Sequence, residues 1–184
     1  MTDLDQLPDQ FAAIRGEVEK LLFGIRPDQF NWRPAPGQWS ISECLTHLNV
    51  VDGIDADLLA RAVIAARAKG WTSAGPFRYG ALSTWLIGKL EPPVKMKTTA
   101  PKIYVPPPDQ PLETVQREFY RIHDRLVEIL GMAEGLDLAR IKVPTPLARW
   151  IHFSFTQRVR LLAAHDRRHL WQAWQVPQAP GFPG

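Results

Sequence analysis

Cysteine is almost absent from this chain, and its scarcity excludes two classes of protein. Cys44 is the only cysteine among 184 residues. One thiol cannot form an intrachain disulfide framework, and it cannot supply the several sulfur ligands of a cysteine-rich zinc knuckle. We therefore expect an apolar core to hold the fold together. The 45% apolar content of a chain this long predicts one domain, residues 1–184.

The chain also lacks a strong charge imbalance and a long apolar run. Its 22 Lys and Arg residues against 19 Asp and Glu residues give a net charge of +3. The basic residues are scattered, so we predict no nucleic-acid partner. No run approaches the roughly 18 consecutive apolar residues of a membrane span. The opening MTDLDQLPDQ is acidic and polar, unlike a secretory signal, so we predict a cytoplasmic protein without a membrane partner.

Apolar residues recur at steps of three and four over four long stretches, which is the period of a helix with one buried face. In the third stretch, Val115, Phe119, Ile122, Leu126 and Ile129 follow this period. No stretch alternates as a strand would. The sequence therefore predicts an all-α four-helix bundle. The predicted helices cover about residues 4–25, 40–69, 112–132, and 147 or 148 to 175.

The second predicted helix has a start signal and a stop signal. Ser40 and Glu43 have the spacing of a capping box, in which a hydroxyl and a carboxylate satisfy unpaired backbone amides of the first turn. Glu43 could also orient a histidine or act as a base, but capping explains it more simply. Gly70 follows the helix as a plausible C-terminal stop.

A proline-rich segment, residues 71–111, separates the second and third predicted helices and contains eight of the 17 prolines. A short helix over 82–90 is predicted within it. A connection of this length usually crosses a fold or covers a site. We expect this segment to lie near the candidate functional site, described in the next paragraph, and to contribute to a substrate pocket. The alternative is that its aromatic side chains only fill the end of the bundle. These aromatics are Trp71, Phe77, Tyr79, Trp85 and Tyr104.

Three histidines are the strongest candidates for a functional site. His165 and His169 in HDRRH are four residues apart, so on a helix they share one face. His47 lies on the apolar stripe of the second predicted helix. Burying an unpaired imidazole costs about 1–3 kcal/mol, a cost that a shared metal removes. Three neutral imidazoles with an open position suit zinc or a neighbouring transition metal.

The segment WSISECLTHL, followed more than a hundred residues later by HDRRHLWQ, resembles the DinB-like (YfiT-like) superfamily of metal-binding four-helix bundles. The resemblance covers nearly the whole chain and includes the proline-rich crossover. It implies up-down-down-up topology. It also implies a divalent metal, zinc or nickel above all, on one ligand matching His47 and two matching His165 and His169.

The resemblance also suggests a function, because the superfamily includes transferases that use low-molecular-weight thiols such as bacillithiol or mycothiol, and a mycothiol-dependent isomerase. We therefore expect a metal-dependent transferase that activates such a thiol and acts on a small-molecule substrate. The alternatives are a metal-dependent hydrolase and a non-catalytic metal-binding bundle. A fourth protein ligand, for which Cys44 is the candidate, would favour the non-catalytic reading.

Two residues near the histidines have open roles. Cys44 lies one turn before His47 and could complete a metal site, but we interpret it as a small buried apolar residue. Gln172 lies one turn beyond His169. It could hydrogen-bond a ligand or a bound water, or it could simply pack at the surface.

The remaining polar and aromatic candidates have simpler interpretations. Asp166 is offset from the line of the two HDRRH histidines, so we expect it to be exposed. His123 and His152 have no matching partners and are interpreted as ordinary, partly exposed histidines. Three tryptophans indicate core or dimer packing, which keeps a homodimer open. They are Trp150, Trp171 and Trp174.

Overall fold

A computed structural model describes residues 4, 6–73, 75, 77, 81–94, 99–146 and 150–184, with the backbone alone at 81–84 and 86. The described residues are mostly helical, which confirms the predicted all-α class. The up-down-down-up order of the helices stays a prediction. The helices are α1 (Leu7–Leu22), α2 (Pro27–Asn31), α3 (Ile41–Ala68), α4 (Ala81–Leu90), α5 (Leu112–Met132) and α6 (Phe155–Gln175).

The core forms where α3 packs against both α5 and α6, while α1 packs against the other sides of α5 and α6. Each of these helices buries an apolar stripe, as the spacing of its apolar residues requires. Burying one large apolar side chain contributes roughly 1.5–3 kcal/mol. The largest fully buried side chains include Phe11, Phe30, Phe119 and Phe155.

Capping boxes fix the N-termini of the two helices that carry the histidines. At α3 the Ser40 hydroxyl accepts from the backbone N–H of Glu43, whose carboxylate accepts from the backbone N–H of Ser40. Ser154 and Gln157 make the equivalent exchange at α6. The predicted capping box of the second helix is therefore confirmed. The helix ends at Ala68, close to the predicted end.

A short β-hairpin precedes α6, so the expectation of no strand was wrong. Strand β1 (Lys142–Pro144) pairs antiparallel with β2 (His152–Ser154), and Val143 lies opposite Phe153. Three-residue strands are too short to show a recognisable alternation in sequence. The predicted helix start at 147 or 148 lies outside the described residues. Because residues 152–154 are strand, α6 begins later than predicted, at Phe155.

The start of the chain also differs in detail from the prediction. The first helix ends at Leu22, and the turn that follows includes Gly24 with φ of 76°, a left-handed conformation that glycine adopts without strain. The stretch between the first two predicted helices contains the extra helix α2, which has proline at its first position. The third predicted helix matches α5, and the short helix predicted over 82–90 matches α4.

The proline-rich segment contacts the bundle at several points. Helix α4 packs against α6, and Glu91 just after it forms an ion pair with Arg167 of α6. A 3-10 turn, Lys102–Tyr104, contacts α3 and buries Tyr104. Among the described residues, no helix has the length and apolar character needed to cross a membrane.

Candidate metal centre

The structure brings His47, His165 and His169 together between α3 and α6. Their ligand nitrogens lie within 4.8 Å of one another. His47 and His169 are buried, and His165 is partly exposed. The histidines of α6 share a face because they are one turn apart, and that face meets α3 at His47. We refer to these residues as the three-histidine site.

The spacing of the rings fits a shared cation. Nε2 of His47 and Nε2 of His165 are 3.3 Å apart. Two nitrogens bound to one zinc at about 2.0–2.1 Å in tetrahedral geometry would be about 3.4 Å apart. The ring centroid of His169 lies 4.5 Å from that of His47 and 4.6 Å from that of His165. The three side chains therefore fit the divalent ion that their chemistry suggests.

Hydrogen bonds on the far side of two rings favour the tautomer needed for metal binding. Nδ1 of His47 lies 2.7 Å from the backbone carbonyl oxygen of Tyr104, which can only accept, so this Nδ1 carries the proton. Nδ1 of His169 donates to Oε1 of Gln172 over 3.1 Å. Each ring then has its Nε2 lone pair free for a metal. Metal-bound histidines usually make such outer hydrogen bonds.

Electrostatics keep these rings neutral. Burial lowers the pKa of His165 to about 3, assisted by His47. Burial lowers the pKa of His169 to about 2, assisted by the two other rings of the site. Burial also lowers the pKa of His47, against the opposing effect of its bond to Tyr104. A neutral imidazole is the form that binds a metal, so the site is ready for one at neutral pH.

Trp39 is a neighbour of the site that the sequence did not identify. Its ring lies 4.9 Å from the ring of His47 and stacks on His169 at 5.7 Å, between centroids. Trp39 immediately precedes Ser40, the N-cap residue of α3. The sequence feature that could have identified Trp39 is its position directly before the N-cap residue of α3.

Glu43 and Cys44 are unsuited to act as ligands or bases here. The Glu43 carboxylate is engaged by the backbone of Ser40 and by an ion pair with Arg33. Cys44 is fully buried, and burial raises the pKa of its thiol above its ordinary value. Within the described parts of the chain, neither residue belongs to the group of clustered ligand atoms. The site thus has three protein ligands to offer.

Two predictions about polar residues were wrong. Asp166 and His123 were expected to be exposed or partly exposed, but both are buried. Asp166 lies beside Asp52 of α3 and His123 of α5, so an offset from the histidine line does not lead to solvent. His123 lies against Phe119 and Phe11 in the core. His152 is exposed, as predicted.

A bundle of long helices with three inward histidines on two of them defines a class of metal-binding helical proteins. The sequence comparison names the family within that class. A sequence profile of the DinB superfamily matches residues 10–173, and this chain belongs to that superfamily. Searches of curated proteins and of solved structures gave no match.

Replacing Gln172 with leucine is expected to weaken metal binding about 10–100-fold, because outer hydrogen bonds hold ligand rings in orientation. The measurement is competition for Zn²⁺ against a chromophoric chelator. Gln175→Leu is the matched control, since Gln175 is exposed on the same helix and, among the described residues, its side chain bonds only to the carbonyl of Trp171. Equal affinities for the two variants would show that Gln172 does not orient His169.

Proposed function

We propose that this protein is a metal-dependent transferase that binds zinc or nickel at the three-histidine site and activates a low-molecular-weight thiol there. One observation carries the proposal. Three neutral imidazoles converge from two helices, and no carboxylate or thiol among the described residues joins them. Three neutral ligands leave the charge of a dication undiminished and a coordination position open, as in catalytic sites.

The absence of a base among the described neighbours favours a thiol over water as the nucleophile. A divalent ion bound here would act as a Lewis acid that lowers the pKa of a bound group. An ordinary thiol has a pKa of about 8.5, whereas that of water is about 15.7. The thiol therefore needs far less assistance to ionise at neutral pH. With Glu43 engaged elsewhere and Cys44 buried, this difference in pKa favours the thiol.

The chain's own residues bind and orient in this reaction. The histidines hold the ion, while Tyr104 and Gln172 fix two of the rings. Trp39 packs against the rings of His47 and His169. In the transfer, the thiol sulfur forms a bond to an electrophilic carbon of a small-molecule substrate, the leaving group departs with its electron pair, and the thiol proton passes to solvent.

The test combines elemental analysis with conjugation assays. Protein purified without a histidine tag is analysed for zinc and nickel. It is then assayed with bacillithiol, mycothiol and glutathione against an aromatic electrophile such as chlorodinitrobenzene. We expect conjugation with one thiol that stops after metal removal and returns on reloading. Ester hydrolysis without any thiol would instead support the hydrolase, and bound metal without turnover in either assay would support the non-catalytic bundle.

A Tyr104 variant tests the expected role of the proline-rich segment. The segment reaches the three-histidine site, because the backbone carbonyl of Tyr104 contacts His47. Tyr104→Leu removes the ring but keeps that carbonyl. We expect unchanged metal content and a loss of about tenfold or more in kcat/KM for thiol conjugation, the size of one pocket contact. Ile103→Ala, in the same turn with an exposed side chain, is the control. Parallel loss of metal and activity in Tyr104→Leu would contradict a pocket role.

A further inference from the structure

A second polar cluster lies in the core, apart from the three-histidine site. Asp52 on α3, His123 on α5 and Asp166 on α6 bring their ligand atoms within 4.8 Å of one another. We call these residues the Asp-His-Asp cluster. Their exposed fractions are 0%, 2% and 0%. Three ionisable side chains from three helices are therefore removed from water at one point.

The six side-chain nitrogen and oxygen atoms of the cluster make no hydrogen bond of normal geometry to the described residues. Buried polar atoms nearly always have a partner, and leaving one without costs about 1–3 kcal/mol. Six such atoms in one place therefore indicate a partner that bonds to several of them together. The cluster has no part in the proposed thiol chemistry, so that chemistry does not explain the free energy that burying these polar atoms costs.

Among the described residues, no Lys or Arg side chain forms an ion pair with either carboxylate of the cluster, as the two arginines whose charge acts on these carboxylates are paired elsewhere. Among the described ion pairs, His123 is the only basic group that faces the two carboxylates. Arg158 is paired with Asp55, and Arg167 with Glu91. Burial raises the pKa of the Asp52 carboxyl well above its ordinary value, and the charge of Asp55 raises it further. Burial also lowers the pKa of His123. A cation bound between the carboxylates would balance their negative charge. Its bond to His123 would give the buried imidazole a partner.

The distances from His123 to both carboxyl groups are longer than those of hydrogen bonds. His123 Nε2 is 3.5 Å from Oδ2 of Asp52 and 3.7 Å from Oδ2 of Asp166. A carboxylic acid or carboxylate hydrogen-bonded to the ring would lie at about 2.7–2.9 Å. Oxygen and nitrogen ligands on one ion at about 2.0–2.2 Å lie about 3.0–3.5 Å apart, depending on geometry. The observed spacing is close to that of ligands around one ion.

We propose that the Asp-His-Asp cluster is a second divalent-cation site. Two carboxylate oxygens and one imidazole nitrogen suit Mn²⁺, Fe²⁺ or Zn²⁺, and the two carboxylates balance the charge of the ion. This donor set is harder than that of the three-histidine site, so the two sites differ in metal preference. The ion ties α3, α5 and α6 together at their centre.

Packing holds the cluster ready for the ion. The ring of Phe119 lies 3.9 Å from the ring of His123, and Phe11 contacts it edge-on at 5.4 Å, between centroids. These contacts fix the plane of the imidazole. Because the cluster is buried on all sides, the ion enters during folding and leaves slowly. Loading therefore requires refolding in the presence of the metal.

The test counts metal ions and does not depend on activity. Untagged protein is unfolded with chelator, refolded with Zn²⁺, which suits both donor sets, freed of excess ion and analysed for zinc. We expect two ions per chain in the wild type, one in His47→Ala/His169→Ala, one in His123→Leu, and none in the combined variant. His152→Leu, at an exposed histidine, is the control that keeps two ions. Failure of the proposed transferase would leave these counts unchanged.

Pulsed electron paramagnetic resonance on His47→Ala/His169→Ala refolded with Mn²⁺ supplies a second measurement that needs no change in the buried cluster. We expect the Mn²⁺ that remains to couple to the nitrogen of one imidazole. Asp52→Asn keeps the shape of Asp52 and is expected to remove that signal even if His123→Leu fails to fold. One ion per chain in the wild type, or an unchanged nitrogen signal in Asp52→Asn, would overturn the proposal.

Discussion

Replacing His169 with alanine is expected to weaken zinc binding at the three-histidine site by more than about 100-fold, because even the loss of an outer hydrogen bond to a ligand costs about 10–100-fold. The variant should also unfold more easily, since metal binding and folding are coupled at such sites. When free metal is at 100 times the dissociation constant, binding stabilises the fold by about 2.7 kcal/mol. Most of that stabilisation should disappear in the variant.

The measurement is thermal unfolding with and without a chelator, next to zinc content by elemental analysis. We expect chelator to lower the Tm of the wild type and to change that of His169→Ala much less. His152→Ala controls for loss of a histidine, because His152 is exposed and lies outside the site. Wild-type zinc affinity in His169→Ala would remove His169 from the ligand set and with it the basis of the proposed function.

The parts of the fold that could be predicted are those with a strong local signal. Helix α5 was predicted at its observed bounds because its apolar residues follow the helical period without interruption. The start of α3 was predicted from Ser40 and Glu43, which satisfy the first turn through their own side chains. A site of three histidines was predicted from the four-residue spacing of His165 and His169 and from the position of His47 on an apolar stripe.

The parts that were missed depend on tertiary contacts. Asp166 lies on a face of α6 that sequence alone marks as polar, but neighbouring helices cover that face. His123 lies within the apolar stripe of α5, where a single histidine more often makes an ordinary hydrogen bond. Only the approach of Asp52 from α3 turns these residues into a cluster. No local pattern connects positions so far apart in the chain.

Arg158 provides the second large prediction, because it forms a buried ion pair that links α6 to α3. Its Nη2 donates to Oδ1 and Oδ2 of Asp55 at 2.6 and 2.8 Å, and its Nε donates to Oδ1 at 3.0 Å. Both side chains are buried. Removing one partner of a buried pair typically costs about 3–5 kcal/mol, since the other charge is left without compensation. We expect Arg158→Met to lose about this much free energy of unfolding at pH 7.

A matched ion pair, whose aspartate also lies on α3, controls for the loss of an arginine. Arg125 donates to Asp57 over 2.7 Å, again between α3 and another helix, but these side chains are 39% and 51% exposed. Exposed pairs contribute about 0.2–1 kcal/mol. Arg125→Met should therefore be nearly neutral, and denaturant unfolding of both variants tests the contrast. Equal losses in the two variants would mean that burial of the Arg158 pair has no energetic consequence.

The cost of Arg158→Met is also expected to depend on pH in a definite direction. Burial already raises the pKa of Asp55, against the opposing attraction of Arg158, so removing the arginine raises that pKa further. A carboxyl whose pKa is higher in the folded state than in the unfolded state destabilises the fold as pH rises above the unfolded value, about 3.9. Below that value Asp55 is protonated in both states and the penalty vanishes.

The difference in unfolding free energy between wild type and Arg158→Met should thus shrink as pH falls from 7 towards 4. A difference that stays constant over that range would show that the lost stability comes from packing of the arginine side chain and not from the stranded charge of Asp55.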